Sequence, residues 1–245
     1  MAPSRSAELD EEPKITIVIP ALNEEQNIEK SLSTLEEKLL LPHRVIVVND
    51  NSDDRTAEIV ERISDDRPNI RLVNSSRPRG ITNALKSGFE SVDTPVTVVM
   101  MADLCDDPET VPRMYEKFEE GYDLVCASRY MPEGRRLAGP ALQGFFSRNV
   151  CSSLRKLTGI PTHDVSNAFK MYRTEILRTT PLEEAGFASS LEICVKAFLK
   201  GFRITEVPTT WKGRTAGTSS FKMLKVARSY FRWYLWAILL RNHRF

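Results

Sequence analysis

The sequence predicts an α/β fold built on a doubly wound, mainly parallel sheet, and three observations carry that expectation. Five short apolar runs rich in β-branched residues alternate with segments of helical spacing, the pattern of parallel strands joined by right-handed helical crossovers. Three of these runs stop abruptly at polar or acidic residues, which places those residues at the carboxyl edge of the sheet, where open α/β folds bind ligands. Finally, 245 residues with 41% hydrophobic and 27% charged content suit one large α/β domain or a domain with an appendage.

The first strand is Ile15-Thr16-Ile17-Val18-Ile19, ended by Pro20. Asn23, with Gln26 three residues on, reads as the N-cap of a helix carrying Leu32, Leu35 and Leu39, which must end before Pro42. Val45-Ile46-Val47-Val48 closes on Asn49-Asp50-Asn51-Ser52 and leads into a helix over 54–63. Ile70-Arg71-Leu72-Val73 is the third strand, and Arg79-Gly80-Ile81 opens the next helix. A fourth strand over 96–101 delivers Asp103, Asp106, Asp107 and Glu109 to the edge ahead of a helix over 108–120, and the fifth spans 123–127. Near residue 130 the composition shifts: Pro132, Gly134, Arg135, Arg136, Gly139 and Pro140 mark a surface loop. Beyond it come a helix over 142–157, a loop through Asp164, a helix over 191–199 and a strand over 203–207.

A net charge of +1 gives no whole-molecule attraction to nucleic acid. No acid follows Glu206, however, so Lys212, Arg214, Lys222, Lys225, Arg228, Arg232, Arg241 and Arg244 form a basic C-terminal region. The expected organisation is a disordered acidic tail over 1–12, a main domain over 13–220 and a basic aromatic helix over 221–245. Cys105, Cys126, Cys151 and Cys194 are scattered without a Cys-x-x-Cys pair, which argues against structural zinc or a disulfide framework and for reduced thiols in the cytosol. The first residues lack the apolar core of a secretory signal, and no stretch reaches the ~20 apolar residues that span a bilayer.

None of the strand ends carries a Gly-rich phosphate loop, so a nucleotide bound there needs a metal or arginines to balance its charge. Asp103, the first carboxylate past the fourth strand, could reach a divalent cation on the phosphates; alternatively, Asp103 to Glu109 simply cap the following helix. Asp50 could accept a hydrogen bond from a base N–H.

Ile19-Pro20-Ala21-Leu22-Asn23-Glu24, Val48-Asn49-Asp50-Asn51-Ser52, Ala102-Asp103-Leu104, Ala127-Ser128-Arg129-Tyr130, Asp164-Val165-Ser166-Asn167-Ala168-Phe169-Lys170 and Arg214-Thr215-Ala216-Gly217-Thr218-Ser219 stand in the order seen in family 2 inverting glycosyltransferases. Over residues 14–221 the chain most resembles the dolichol-phosphate mannosyltransferase branch. That resemblance implies a glycosyltransferase A fold that moves a hexose, mannose favoured, from a nucleotide sugar to a polyprenyl or dolichyl phosphate; GDP-mannose is one such donor, and since Asp50 can serve either base, guanosine and uridine donors both stay open. It also implies that Pro20, Leu22, Asn23, Glu24, Asp50, Asn51 and Ala102 line the nucleotide sugar and that Asp103 holds Mg2+ or Mn2+. Arg129, Ser147 and Arg214 would meet phosphate groups of donor or acceptor, a task that guanidinium forks suit. Asp103, Arg129, Asp164 and Arg214 are the residues expected to carry catalysis.

The chain departs from the family pattern in three places. Where relatives carry Asp-x-Asp-x-Gln, it has Met101-Ala102-Asp103-Leu104-Cys105, and a thioether and a thiol are poor partners for a hard cation. Metal binding is therefore expected to be weak, or completed by Asp106, Asp107 or water. Gln143 stands where relatives often place an arginine, with Arg135 or Arg136 as the nearest substitute; Ser220 stands where a lysine is common, with Lys222 two residues later.

A phosphate-monoester acceptor, with a second pKa of about 6, is nucleophilic at neutral pH and needs no general base. A hydroxyl acceptor needs one, for which Asp164 is the candidate, with Glu192 behind it. A third reading, prompted by Met101 and Cys105, is a catalytically inactive nucleotide-sugar-binding protein. The apolar segment from Tyr230 to Leu240 would be a helix about 16 Å long against a ~30 Å hydrocarbon core, too short to span. Flanked by arginines, it suits a helix lying on a membrane surface, which makes the protein peripheral on the cytoplasmic face; the alternatives are packing on the sheet, a homo-oligomer or a partner chain.

Overall fold

A computed structural model describes residues 12–184, 186–214 and 223–240. In chain order the elements are β1 (Ile15–Ala21), α1 (Ile28–Lys38), β2 (His43–Asn49), α2 (Thr56–Asp66), β3 (Ile70–Asn74), α3 (Ile81–Glu90), β4 (Val96–Val99), α4 (Thr110–Glu119) and β5 (Leu124–Ser128). They continue with β6 (Arg135–Arg136), α5 (Ala141–Thr158), β7 (Lys170–Arg173), α6 (Thr174–Thr179), α7 (Ser189–Leu199), β8 (Ile204–Pro208), β9 (Thr210–Trp211) and α8 (Met223–Leu240).

The main sheet has seven strands in the order β3-β2-β1-β4-β7-β5-β8, with β6 and β9 forming a separate two-stranded piece. Every pair in the main sheet is parallel except those of β7, which runs antiparallel to both β4 and β5. The expected doubly wound, mainly parallel sheet is present. β1 is buried along its whole length, and the period of two divides it between two cores. Ile15, Ile17 and Ile19 pack with Leu32, Leu35, Val60, Val111 and Met114 from α1, α2 and α4, whereas Val18 packs on the face covered by α3, α5, α7 and α8.

Strand order reverses between β1 and β4: the chain steps outward through β2 and β3, then returns to the other side of β1. A crevice opens outside the carboxyl ends at such a switch point. Because β7 runs the opposite way, its leading end, not its trailing end, faces the same edge. The loop over 164–169 is thereby delivered beside the ends of β4 and β5.

Several local expectations need correction. Asn23 does not cap α1; the helix starts at Ile28, and the cap position belongs to Asn27, which makes no side-chain cap bond. Instead Asn23 adopts φ +56° and its Oδ1 accepts the Asp53 N–H at 2.9 Å, a conformation that Asn tolerates well. Nor do the acids after β4 cap α4, whose Glu109 makes no side-chain cap bond. β4 ends two residues early because the Met101 N–H is taken by Asp106 Oδ2 at 3.1 Å. β7 was not foreseen at all: its four residues begin and end in a charge, yet Lys170 is fully buried. Its ammonium is satisfied by the Val165 carbonyl at 3.0 Å, the Asn167 carbonyl and Ser190 Oγ at 2.5 Å, so it clasps the loop that precedes it.

α8 does pack on the domain. Trp233 and Ala237 are 2% and 1% exposed against α5 and α7, the Trp233 indole N–H donates to Glu184 at 2.8 Å, and Tyr234 shares a hydrogen bond with Ser153. The opposite face leaves Phe231, Leu235 and Leu239 exposed. No helix among the described residues is long and apolar enough to cross a membrane. The expected tail over 1–12 lies outside the described residues except for Glu12, as do Ser220, Lys222, Arg241 and Arg244.

Candidate active site

Two groups of side chains share the carboxyl edge. The first lies at the ends of β1, β2 and β4. Pro20, Ala21 and Asn49 end paired strands, and the Asp50 N–H donates to the Ala21 carbonyl, so the loops after β1 and β2 start in contact. Asn23 and Asn51 both adopt φ +56°. The Asp50 carboxylate is almost wholly buried, and both of its oxygens accept the Gly80 N–H, at 3.0 and 2.8 Å. Burial pushes its pKa up against that hydrogen bond and the nearby Arg79 charge. Arg79 itself is fixed to the Asn51 carbonyl and to Asp53 at 2.8 Å. Asp50 thus shapes the turn into α3 while it borders the edge expected to hold a base. Leu22 lies in the same loop, partly exposed, and Ala102 is buried beneath the loop after β4.

Glu24 is not open to solvent. Its Oε2 accepts from the Asn27 amide at 2.7 Å, and its Oε1 accepts from Arg214 Nη2 at 2.6 Å. Arg214 also places Nη1 3.9 Å from Asp103 Oδ2. One guanidinium therefore ties the loop after β1 to the loop after β4, residues 190 and 111 positions away in the sequence.

Asp103 is partly exposed, and its Oδ1 accepts the N–H of Cys105, two residues ahead, at 3.2 Å. Asp106 faces inward, and burial together with the Asp103 charge pushes its pKa up to about 7. Asp107 turns toward Lys38, 3.8 Å away. Cys105 is buried, and burial and the neighbouring Asp103 charge push its thiol well up, so it offers no thiolate. Among the described residues no three His, Cys, Asp or Glu side chains converge as a metal cage. The fit is to a cation held by one protein carboxylate, Asp103, with phosphate oxygens and water completing the shell, a mode that suits Mg2+.

The second group is built on β5, α5 and the loop before β7. Arg129 follows β5, and its Nε and Nη2 donate to the two oxygens of Asp164 at 2.7 and 2.9 Å while its backbone N–H adds a third bond at 3.1 Å. Asp164 is fully buried. Burial alone raises its pKa, but the Arg129 charge and hydrogen bonds outweigh that and hold the carboxyl below its ordinary value. Ser166 donates to Asp164 at 3.1 Å, accepts from Arg129 Nη2 at 3.2 Å, and shares a 2.9 Å hydrogen bond with Ser147 of α5. Asn167 fastens this loop to the Ala127 carbonyl at 2.8 Å.

Sequence reading missed Ser166, although it sat unassigned inside a quoted motif, and it missed that Asp164 is spoken for. Glu192, the reserve base, is fully buried and accepts the Glu183 and Glu184 N–H groups and Lys196. It lies outside the site and serves packing.

A mainly parallel sheet whose switch-point edge gathers carboxylates and arginines defines an open α/β protein with its ligand site at that edge. The chain belongs to glycosyl transferase family 2, whose profile matches residues 16–180. It is 30% identical over 214 residues to dolichol-phosphate mannosyltransferase of Pyrococcus furiosus, a match covering 85% of this chain and 59% of that protein. It is 26% identical over 235 residues to polyprenol monophosphomannose synthase of Mycolicibacterium smegmatis, covering 93% and 88%. Among solved structures, glucosyl-3-phosphoglycerate synthase from Mycobacterium tuberculosis, in complex with Mn2+, UDP and glucosyl-3-phosphoglycerate, superposes with a TM-score of 0.69 at 20% identity, covering 97% of this chain and 82% of that one. The fold is of the glycosyltransferase A type.

Proposed function

We propose that this protein transfers a hexose, mannose favoured, from a nucleotide sugar to a polyprenyl or dolichyl phosphate with inversion at the anomeric carbon. The observation that carries the reading is the Arg129–Asp164–Ser166–Ser147 cluster beside the Asp50, Asp103 and Arg214 loops on one sheet edge, a phosphate-binding half next to a nucleotide-binding half. Both mannosyl-transferring relatives support it by name.

In this reading Asp50 meets the base, Glu24 and Asn51 border the nucleoside, and Arg214 swings from Glu24 and Asp103 toward the diphosphate. Asp103 would hold Mg2+ or Mn2+, which when bound supplies positive charge to the leaving diphosphate. An acceptor phosphate supplies its own nucleophilic oxygen, so transfer requires orientation in line with the anomeric carbon and no proton acceptor. Asp164 agrees with that requirement: its lone pairs are committed to Arg129 and Ser166, so it positions the guanidinium and does not act as a base. The hydroxyl-acceptor alternative loses its candidate base with it.

The outward stripe Phe231, Leu235 and Leu239 on α8, with exposed Arg228 and Arg232 and no acid on the helix, fits a peripheral seat on an anionic cytoplasmic membrane face. The test is direct: purified protein with a panel of GDP- and UDP-hexoses, a polyprenyl phosphate, and Mn2+ or chelator. Lipid-linked hexose from one donor is the expected product. Nucleotide binding with no transfer from any donor would instead favour the inactive-binder reading.

A further inference from the structure

The guanidinium of Arg129 cannot by itself hold a phosphate monoester. Its charge is cancelled by the fully buried Asp164, and Arg214 is likewise faced by Glu24 and Asp103. A phosphate monoester carries about −1.5 to −2 at neutral pH, so the site needs a cation that no carboxylate already neutralises.

Arg136 answers that need. Among the described residues no Asp or Glu lies within ion-pair distance of it. Its strand β6 pairs with β9, setting Arg136 opposite Trp211, and its guanidinium lies 5.2 Å from the Trp211 ring centre. Nη1 donates to the Pro140 carbonyl at 3.2 Å. Two glycines make room for the group: a Cβ on Gly139 would fall 2.6 Å from Nη2 and 3.1 Å from the Trp211 ring, and one on Gly144 would overlap the guanidinium outright. Gly144 and Ser147 are three apart on α5, neighbours on one helix face about 4.5 Å along the axis. The seat of the Arg136 guanidinium over Gly144 is thus one helical turn from Ser147, whose hydroxyl bonds Ser166 and through it reaches Arg129. Leu137, next to Arg136 in the chain, and Leu142, Phe145 and Phe146, in the first turns of α5, are all exposed.

We infer that Arg136 is the phosphate-holding cation of the acceptor site, gripping the monophosphate of an isoprenoid against Ser147 while the apolar chain lies over Leu137, Leu142, Phe145 and Phe146. This rests on the acceptor proposed above and assigns to this chain's own Arg136 the charge that Gln143 lacks. Arg148 is also unpaired, but it is exposed and nothing stacks on it, so it is not preset for a ligand.

The experiment is calorimetric titration of the full chain with a short isoprenyl monophosphate, the matching isoprenol and inorganic phosphate, alongside GDP and UDP. Arg136→Gln is expected to weaken isoprenyl phosphate about 10- to 100-fold, the loss of a charge-assisted hydrogen bond, with nucleotide affinity unchanged. Gly144→Ala, which only pushes a flexible side-chain end out of its seat, is expected to do the same with the charge still present, and Arg148→Gln is expected to do little. Inorganic phosphate binding as tightly as the isoprenyl ester would overturn the apolar half of the assignment. Equal isoprenyl phosphate affinity in wild type and Arg136→Gln, or an equal loss in Arg148→Gln, would overturn the role of Arg136 and leave the proposed function standing. A wild type that binds nucleotide but no isoprenyl phosphate would overturn both.

Discussion

Arg129 and Asp164, 35 positions apart, are joined by two side-chain hydrogen bonds and one backbone bond, with the carboxylate wholly out of water. Each holds the other in its charged form. Removing one partner strands the other: Asp164→Asn is expected to cost about 3–5 kcal/mol in chemical denaturation, because it leaves a nearly buried guanidinium uncompensated. The same variant should lose acceptor affinity while nucleotide affinity persists, as titration calorimetry can report.

The pair also fixes a pH dependence. The folded pKa of Asp164 lies below its unfolded value of about 3.9, so its contribution to stability is fully present above that pH and is lost as pH falls through the folded pKa. The stability gap between wild type and Asp164→Asn is therefore expected to stay level from pH 8 down to about 5 and to narrow only below about 4. A gap that closes between pH 8 and 6 would contradict this assignment.

Arg214→Gln should release both Glu24 and Asp103 and weaken GDP or UDP binding about tenfold or more, with a shallower salt dependence than wild type. Affinity measured at two ionic strengths separates the loss of charge from a loss of shape.

Asp103→Asn is expected to abolish any metal-dependent part of nucleotide stabilisation. In thermal unfolding with nucleotide at 100 times its Kd, binding adds about 2.7 kcal/mol to wild type, and the increment gained on adding Mn2+ should vanish in the variant. Persistence of that increment would move the cation to another ligand.

The two faces of α8 should behave differently. Trp233→Ala is expected to cost about 3–5 kcal/mol, since the ring is buried and its N–H is bonded to Glu184. Replacing exposed Phe231, Leu235 and Leu239 by Ser should change stability by no more than about 0.5 kcal/mol each yet reduce sedimentation with anionic vesicles. Unchanged vesicle binding would remove the membrane role.

The parallel part of the sheet was legible because its strands are continuous apolar runs, which only double-sided burial explains, and the residues after β1, β2 and β4 could be placed at the edge from that alone. β7 was not legible. Lys170-Met171-Tyr172-Arg173 has the look of a surface segment, and its place in the sheet depends on the satisfied burial of Lys170, a tertiary fact with no local signature. The residues of the second group were found through motif order; their partners, Ser166 for Arg129 and Glu24 for Arg214, follow from three-dimensional closure between distant loops. The abrupt acids after β4 invite a capping reading that fails because Asp106 bonds back to Met101 and Asp103 bonds forward only as far as Cys105, both within their own loop.

Among the described residues β7 is the one strand that touches both β4 and β5, so without it the sheet falls into two unconnected pieces, β3-β2-β1-β4 and β5-β8. Its partners lie far back in the chain, Val99 against Lys170 and Val96 against Arg173. A nascent chain can therefore bring the ends of β1, β2 and β4 together before the keystone strand is made, with Arg214 joining them only afterwards. The Arg129–Asp164–Ser166 cluster is complete only once that strand is seated beside β5, so faulty insertion of four residues would leave the first group of side chains in place and the second unbuilt.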